Sequence, residues 1–421
     1  MSSDAFKQTL KFGELRRKLL FTLLLLLVFR LGAHIAVPNI NTAALQQLQG
    51  QIFGFFDVIS GGAFKRFSIF AMSITPYINA SIILQLLTIV VPRLEELSKE
   101  GVEGRKKIAE YTRYGTVILG FIQALGMSIA FGRMGIINNP GILNYLIIAI
   151  SLTAGTTLLM WLGEMITEYG IGNGISLIIF TGIITRIPSQ IVGVGKELAG
   201  GIIGIVNVLL LVAVVLVVIV GVIYVNEGQR RIPIQYAKRM IGRRIYGGQS
   251  TFLPIKINSA GVIPIIFAMS LVMFPSIIGS WMATDSAYNM FLSKYFNTGG
   301  VLYNVIYALF IVFFTYFYVA IIFNPVDVAD NIKKNSGFIP GIRPGRPTAD
   351  YIDKVLSRLT LVGGIFLALI AVLPNIVIAV TGVKSMWFGG TALLIMVGVA
   401  LDTMKQVQAT LLMRNYEGFV K

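Results

Sequence analysis

The chain has 421 residues, of which 55% are hydrophobic and only 13% are charged, and its formal net charge is +16. This composition is typical of an integral membrane protein and excludes an ordinary soluble domain. The chain has no cysteine and a single histidine, His34. Disulfides and thiol chemistry are therefore excluded, and a His-based metal site or catalytic triad is disfavoured.

The first apolar run follows the basic residues Lys11, Arg16, Arg17 and Lys18, an arrangement that resembles a signal peptide. The run continues as far as Val37, and many further spans follow. We therefore interpret it as the first transmembrane helix.

The next stretch, residues 52–92, has two apolar parts of unequal length. Residues 52–64 are too few to cross a bilayer, which takes about 20 helical residues, whereas residues 67–91 are enough. A short apolar segment before a full span, with no room to surface twice, predicts a re-entrant segment. Because non-helical backbone at membrane depth is tolerated only inside protein or beside a cavity, we expect this region to enclose a hollow.

Ten transmembrane spans are predicted along the chain. They cover approximately residues 19–37, 68–91, 113–132, 143–163, 172–188, 202–225, 258–280, 302–323, 357–380 and 387–404. With this assignment, 27 of the 35 Lys and Arg residues fall on the side that holds both termini, and seven fall on the other side. The positive-inside rule therefore predicts that both termini are cytoplasmic.

Ten spans divide into two sets of five near a glycine-rich stretch. We therefore predict an N-terminal half (1–190), a hinge region on the outer side (191–204) and a C-terminal half (205–421). Because five is odd, the two halves would have opposite orientations, as in the inverted repeats of many transport proteins. The halves share no convincing sequence identity, so this repeat is inferred from the span count.

Two long basic loops are predicted on the cytoplasmic side. Residues 226–257 alternate basic, aromatic and β-branched residues around Gly247 and Gly248, which predicts a projection like a β-hairpin. Residues 324–358 carry Gly and Pro on both sides of Arg343, which predicts a stiff turn that presents this one side chain.

Six stretches resemble one known family. They are SITPYINASIILQ (73–85), KEGVEGRKKIAEYTRYG (99–115), TEYGIGNGISLIIF (167–180), a segment ending in NSAGVIPIIFA (230–268), GFIPGIRPGRP (337–347) and GVALDTMKQVQATLLMRNYEGF (398–419). Together they resemble bacterial SecY, the channel subunit of the Sec protein translocase, from about residue 12 to the end. The resemblance implies an hourglass of ten helices in two hinged halves, a plug, and a lateral gate between spans two and seven.

The implied fold is an all-α polytopic membrane protein with ten transmembrane helices in two inverted five-helix halves and a re-entrant plug helix. The resemblance assigns the plug to residues 53–66 and centres it on Phe55, Phe56, Asp57, Val58, Ile59, Ser60, Gly61, Gly62 and Ala63. The residues alone leave open an interfacial helix on the outer surface.

Matching the family motifs places six isoleucines at the waist of the channel. They are Ile74 and Ile78 in span two, Ile175 and Ile179 in span five, Ile266 in span seven and Ile395 in span ten. The paired residues are four apart, so each pair shares a helix face. An apolar constriction dewets and blocks ions without a bound gate. The alternative is that these are ordinary packing or lipid-facing isoleucines.

Seven basic residues of the cytoplasmic loops resemble the positions at which the family docks SecA and the ribosome. They are Arg230, Arg231, Lys238, Arg239, Arg243, Arg244 and Arg343. Arginine suits phosphates and carboxylates because its planar fork forms two parallel hydrogen bonds. The alternative is the positive charge that every cytoplasmic loop of a membrane protein carries.

Three polar residues are candidates for the lateral gate. Ser81 and Gln85 in span two and Asn258 at the start of span seven are predicted to hydrogen-bond across the seam. Such bonds average about 0.6 kcal/mol in membranes, weak enough to open. The alternative is a hydrogen bond within each helix.

The sequence therefore predicts a channel in the bacterial plasma (inner) membrane that translocates unfolded secretory polypeptides with a signal sequence and releases membrane segments laterally into lipid. The implied partners are the SecE and SecG subunits, the motor ATPase SecA and the rRNA of the ribosome. No GxxxxGK[ST] motif is present, so we expect no enzyme activity, no cofactor and no catalytic residues.

Two other classes of protein are considered. A secondary transporter of a small solute shares the hydropathy but normally needs carboxylates at mid-membrane, and the sequence offers no convincing one. An intramembrane protease would need a Ser/His or paired-Asp site in the bilayer, and the sequence has one histidine and no paired Asp within the spans.

Arg30, the clear basic residue within a span, is near a helix end and is expected to reach the interface.

Overall fold

The computed structural model describes residues 13–41, 60–236, 239–241, 244–246, 250–281, 286–296, 300–381 and 390–417. The described helices are α1 (Gly13–Gly32), α2 (Thr75–Val90), α3 (Pro92–Lys99), α4 (Val102–Arg133), α5 (Ile142–Tyr169), α6 (Gly174–Ile184), α7 (Ile187–Ala199), α8 (Ile205–Glu227), α9 (Ile263–Trp281), α10 (Ala287–Tyr295), α11 (Val301–Ile322), α12 (Pro325–Lys334), α13 (Arg346–Thr381) and α14 (Gly390–Glu417). The described strands are β1 (Gln229–Tyr236), β2 (Arg239–Ile241), β3 (Arg244–Tyr246), β4 (Ser250–Lys256) and β5 (Gly337–Phe338).

Each of the ten predicted spans coincides with a helix or a pair of helices. Within the described residues, seven segments are long and apolar enough to cross a membrane, and the bent pair α2–α3 makes eight. The other two predicted spans correspond to α1, whose first turns are charged, and to α9, whose apolar part Ile263–Val272 is short. The prediction of an all-α, ten-span membrane protein is confirmed.

The second span begins later than predicted. Phe67 and Ser73 adopt positive φ values of 45° and 51°, which no α-helix accommodates. The helix α2 starts at Thr75 because Pro76 follows at a first-turn position, where a missing N–H costs nothing. At its other end the chain reaches Pro92, and α3 leaves at an angle of 101° to α2. The apolar stretch is therefore a series of turns followed by a 16-residue helix.

The predicted hinge region, residues 191–204, is mostly helical. Helix α7 covers it as far as Ala199. Val194 in this helix packs with Leu211 of α8, and Val377 of α13 lies against the same small cluster. The predicted hinge stretch thus packs against two helices of the C-terminal half.

Three larger clusters of buried side chains form the interior. The first lies in the C-terminal half between α8, α9, α11 and α13. In it the rings of Phe267 and Phe314 pack edge to face, with their centroids 5.8 Å apart. The second lies in the N-terminal half, where Phe67 of the turn segment meets Phe131 of α4 at 5.0 Å. The third joins α1, α5 and α6 to α14 of the other half.

Three strands build a small sheet from both of the long basic loops. Strand β1 pairs antiparallel with β4, from Gln229 opposite Lys256 to Gln235 opposite Ser250, as the hairpin pattern predicts. On its other edge β1 pairs with β5 of the second loop, with Tyr236 opposite Gly337. The strands β2 and β3 form a separate antiparallel pair. The sequence analysis treated the two loops separately and missed this junction.

A glycine at the contact between α5 and the turn segment provides a stability prediction. A Cβ atom at Gly155 would collide with the backbone oxygen of Ile69. A Cβ at Gly195 of α7 would meet nothing within 4 Å. Gly→Ala in an open helix position stabilises by roughly 0.5–1 kcal/mol, whereas overpacking costs about 1–3 kcal/mol.

We therefore expect Gly155→Ala to lower the melting temperature of the purified protein in detergent, and Gly195→Ala to leave it unchanged or slightly raised. Fluorescence-detected size-exclusion chromatography after heating measures both variants. Equal melting temperatures for the two variants would contradict the close contact at Gly155.

Candidate functional site

Five of the six predicted ring isoleucines lie in one apolar cluster. Ile74 is fully buried, and Ile179 and Ile395 are 4% and 3% exposed. Ile78 and Ile175 are partly buried and pack against the same cluster. The cluster therefore combines the start of α2 and helix α6 with α14, which comes from the other half of the chain.

The sixth residue, Ile266, lies apart from this cluster in the described residues. It is half-buried on α9, and its neighbours Ile265 and Phe267 belong to the core of the C-terminal half. Val262, one turn earlier, packs against both clusters. The start of α9 thus lies at the boundary between the two halves, with Ile266 just beyond the isoleucine cluster.

Close approach of two helices sets the position of Ile175. A Cβ at Gly174 of α6 would collide with the backbone oxygen of Gly163 in α5, and a Cβ at Gly163 would lie 2.5 Å from Cδ1 of Ile175. Asn173 caps α6 by accepting a hydrogen bond from the backbone N–H of Ser176 at 3.1 Å. The GIGNG turn therefore fixes both the start and the packing of the helix that carries Ile175 and Ile179.

Only the end of the predicted plug lies within the described residues. Phe55, Phe56, Asp57, Val58 and Ile59 lie outside them. The described part, Ser60 to Arg66, forms turns rather than a helix. Ser60 and Ala63 are fully buried, and the Oγ of Ser60 accepts a hydrogen bond from the N–H of Phe64 at 3.0 Å.

Two glycines give this segment its path. Gly61 and Gly62 have φ values of 66° and 87°, a region that favours glycine. Gly61 also packs closely on α6, because a Cβ there would lie 2.9 Å from the Cα of Gly182 and 3.2 Å from the Oγ1 of Thr185. The segment therefore lies directly on the helix that carries two ring isoleucines.

Arg30 of α1 holds the same segment. Its Nη1 donates a hydrogen bond to the backbone oxygen of Gly61 at 2.9 Å. The sequence analysis expected this side chain to reach the membrane interface. The signal that identifies it is its place as a basic residue inside a span, where ionisable groups usually have a functional partner.

Of the three predicted gate residues, Ser81 and Gln85 contact each other within α2, and Asn258 bonds elsewhere. Gln85 lies 3.4 Å from Ser81 within α2, whereas Asn258 donates through Nδ2 to Oδ1 of Asn226, at the end of α8, at 2.9 Å. Asn258 is 6% exposed, and its Oδ1 has no partner among the described atoms. On the α2 side, Ile82 packs against the core of the C-terminal half. The contact of α2 with the C-terminal half at Ile82 is therefore apolar.

Of the seven basic residues predicted to dock a partner, three are exposed on the three-stranded sheet or beside it. Arg230 and Arg231 are exposed on β1, while the alternating Ile232 and Ile234 are buried. Arg343 is exposed on a turn beside the sheet. Of the other four, Arg239 lies in β2 and Arg244 in β3, and Lys238 and Arg243 fall outside the described residues.

Elsewhere in the described residues, two ion pairs link neighbouring helices. Nε of Arg113 in α4 lies 2.9 Å from Oε1 of Glu164 in α5, and Nζ of Lys405 in α14 lies 2.7 Å from Oε1 of Glu227 in α8. Within the described part of the chain, no group of three or more His, Asp or Glu side chains is placed to hold a metal ion.

The chain is similar in sequence and in fold to known proteins. Residues 68–404 match the SecY family model. The protein translocase subunit SecY of Halalkalibacterium halodurans is 51% identical over 97% of each chain. A solved structure of SecY, in which the plug domain is described as stabilising the closed state of the translocation channel, matches with a TM-score of 0.66 at 20% identity, covering 94% of this chain and 92% of that one. Sec61 in the canine ribosome–channel complex from the endoplasmic reticulum matches with a TM-score of 0.62 at 19% identity, with the same coverage.

The multi-pass helical fold resembles solved channels of the Sec type, and the family match and the curated relative assign the chain to the protein-translocase class. The family match covers most of the chain, and a curated relative is about half identical along nearly its full length. The chain belongs to the SecY family, whose members are protein-conducting channels and not enzymes.

The contact between Arg30 and Gly61 predicts how firmly the turn segment is held. Because the chain has no natural cysteine, a single Ser60→Cys reports on this segment without background. In the resting protein we expect Arg30→Met to raise the rate at which a water-soluble thiol reagent labels this cysteine by at least about tenfold, since a hydrogen bond from a charged donor contributes roughly 1.5–3 kcal/mol.

The matched control is Leu27→Met on the same helix, where the leucine is 59% exposed. It introduces the same side chain without removing a contact to Gly61, so the labelling rate is expected to stay at the wild-type value. Equal rates in the Arg30 and Leu27 variants would show that Arg30 does not hold the segment.

Proposed function

We propose that this chain is the polypeptide-conducting channel of a bacterial Sec translocase. It moves unfolded secretory polypeptides across the plasma membrane and releases membrane segments sideways into lipid. The observation that carries the proposal is the cluster of Ile74, Ile179 and Ile395, which joins both halves of the molecule and is closed to solvent. Membership of the SecY family supports the same activity.

The chemistry of the cluster suits a seal that opens for any sequence. Isoleucine side chains offer no hydrogen bonds to water or ions, so a narrow ring of them excludes both. For the same reason they lose no specific partner when a polypeptide separates them. We assign the ring to Ile74, Ile78, Ile175, Ile179, Ile266 and Ile395.

The plug is proposed to be the segment from Phe55 to Ala63. Its described end is buried and lies against α1 and α6, which supports a second seal next to the ring. Opening would release this segment while the ring isoleucines move apart.

Deletion of Phe55 to Ala63 is therefore expected to give a channel that leaks ions at rest and still transports precursor. Single-channel conductance in planar bilayers measures the leak, and precursor uptake into proteoliposomes measures transport. A resting conductance equal to that of the wild-type protein would contradict the assignment of the plug.

The lateral gate is proposed to lie between α2 and α9. The apolar contacts of Ile82 and Val262 support a seam that separates without breaking ion pairs. Ser81, Gln85 and Asn258 are assigned to its rims. In the described closed arrangement each of them bonds within its own half, so their role would be to hydrate the seam as it opens.

The partners are proposed from the family and from the basic cytoplasmic face. SecE and SecG would complete the membrane complex. SecA or the ribosome would dock on Arg230, Arg231, Lys238, Arg239, Arg243, Arg244 and Arg343, since carboxylates and rRNA phosphates both accept the arginine fork. The positive-inside pattern supports cytoplasmic positions for both termini. The halves 1–190 and 205–421 would open about the stretch 191–204.

Site-specific crosslinking from the constriction tests the proposed function. A photoreactive residue is placed at Ile78 or Ile266, and a stalled secretory precursor is supplied with SecA and ATP. We expect adducts at both positions, lost when the precursor has no signal sequence. Leu216 on α8, whose side chain is 57% exposed and lies outside the isoleucine cluster, is the control position that should not label.

If neither constriction position labels while a photoreactive residue at Arg231 does, the chain docks precursors without conducting them through this ring. The transporter class would then have to be reconsidered.

A further inference from the structure

The turn that carries Arg343 is held in place at several points. Gly341 and Gly345 on either side have φ values of 84° and 101°. Ile339 is 3% exposed in the core of the C-terminal half, and Ile342 packs against that core. The side chain of Arg343 is nevertheless exposed. The turn is thus anchored on both sides of a side chain that points outward.

One hydrogen bond holds the backbone of Arg343 itself. Oγ1 of Thr348, in the first turn of α13, donates to the backbone oxygen of Arg343 at 2.8 Å. Thr348 is 1% exposed, so the bond is shielded from competing water. The backbone N–H of Thr348 donates in turn to the oxygen of Gly345 at 3.0 Å. Thr348 therefore ties the turn to the start of a long helix.

This bond differs from the usual behaviour of threonine in the same protein. A helical threonine normally donates to the backbone oxygen three or four residues earlier in its own helix. Thr315 of α11 does so, with Oγ1 2.6 Å from the oxygen of Ile311. Other described threonine hydroxyls that donate to the backbone follow the same spacing, for example Thr22, Thr112, Thr153, Thr181 and Thr403. Thr348 reaches five residues back, out of its helix and onto the turn.

We infer that Thr348 is a positioning residue for docking: its hydroxyl fixes the backbone of Arg343 so that the guanidinium is presented in one orientation to an acidic or phosphate-bearing partner. The inference rests on the proposed docking role of Arg343. A preorganised arginine loses less conformational freedom when it binds a carboxylate bidentately. Without the bond the turn keeps its glycines and its buried isoleucines, but the carbonyl of Arg343 loses its link to α13.

The experiment measures the affinity of purified SecA for the translocase complex in lipid nanodiscs. Thr348→Val keeps the shape of the side chain and removes the donor. We expect it to weaken SecA binding by about fivefold to tenfold, because the turn must then be ordered when SecA binds. Thr348→Ser keeps the donor and should bind within about twofold of the wild-type protein.

A matched control separates positioning from general stability. Thr315→Val removes an equally buried threonine hydroxyl, 2% exposed, from a bond within its own helix. Both valine variants are expected to lower the melting temperature to a similar extent, but only Thr348→Val should lower SecA affinity. If Thr348→Val does not yield folded protein, Thr348→Cys replaces it with the same expectation, because a thiol is a weak donor of similar size.

Arg343→Ala distinguishes a failure of the proposed docking role of Arg343 from a failure of the positioning role of Thr348. If Arg343→Ala binds SecA as the wild-type protein does, the proposed docking role is wrong. If Arg343→Ala loses affinity while Thr348→Val stays within about twofold of wild type, docking stands and the positioning role is overturned. If positioning is right, adding Thr348→Val to Arg343→Ala causes no further loss, because the two changes act on the same contact.

Discussion

A polypeptide backbone that leaves the helix inside a membrane must find its hydrogen-bond partners within the protein. The turn segment before α2 meets this demand through the chain that follows α1. The N–H of Val37 donates to the oxygen of Phe67 at 2.9 Å, and the N–H of Ile69 donates to the oxygen of Ile35 at 3.0 Å. Arg30 provides a further donor to Gly61. The end of the proposed plug is therefore held by backbone bonds on one side and by a charged side chain on the other.

The same constraint explains where the glycines of the N-terminal half lie. A non-helical backbone can be buried only if a neighbouring helix comes close enough to exclude lipid and water. Gly155 lets α5 pack directly on the backbone of Ile69, and Gly182 lets α6 pack on Gly61. These contacts bring α6 next to the turn segment, and α6 carries Ile175 and Ile179. The arrangement that buries the irregular backbone thus also brings together the isoleucines of the proposed constriction.

The sequence predicts these features unevenly, and the reasons are physical. Span number and fold class follow from long apolar runs, because the bilayer imposes a minimum length on each helix. The start of α2 was misplaced because Phe67 and Ser73 are apolar or small residues whose positive φ values depend on tertiary contacts. Strand β5 was missed because two residues carry no periodicity of their own, and Gly337 becomes a strand only by pairing with Tyr236 of a distant loop.

The candidate site shows the same division. Motif resemblance was needed to choose six isoleucines from a sequence rich in them. A spacing of four places each pair on one helix face, but it does not predict what that face contacts. The hydrogen-bond partner of Asn258 could not be derived, because Asn258 meets Asn226 next to the point where β1 pairs with β4, a contact between residues 32 positions apart. Arg30 had a sequence signal, a charge within a span, but its partner is a backbone oxygen that no side-chain pattern reveals.

The position of α14 links the seal to the stability of the closed molecule. Ile395 and Val399 belong by sequence to the C-terminal half, yet they are buried in the cluster formed by α1, α5 and α6. Helices within a bilayer are held together by close van der Waals packing, so the contacts that form the proposed seal would also hold the halves together. Opening the proposed ring therefore removes part of the interface between the halves, and an incoming apolar segment can replace those contacts. A seal built from polar side chains would require specific partners in the open state, whereas this one needs only another apolar surface.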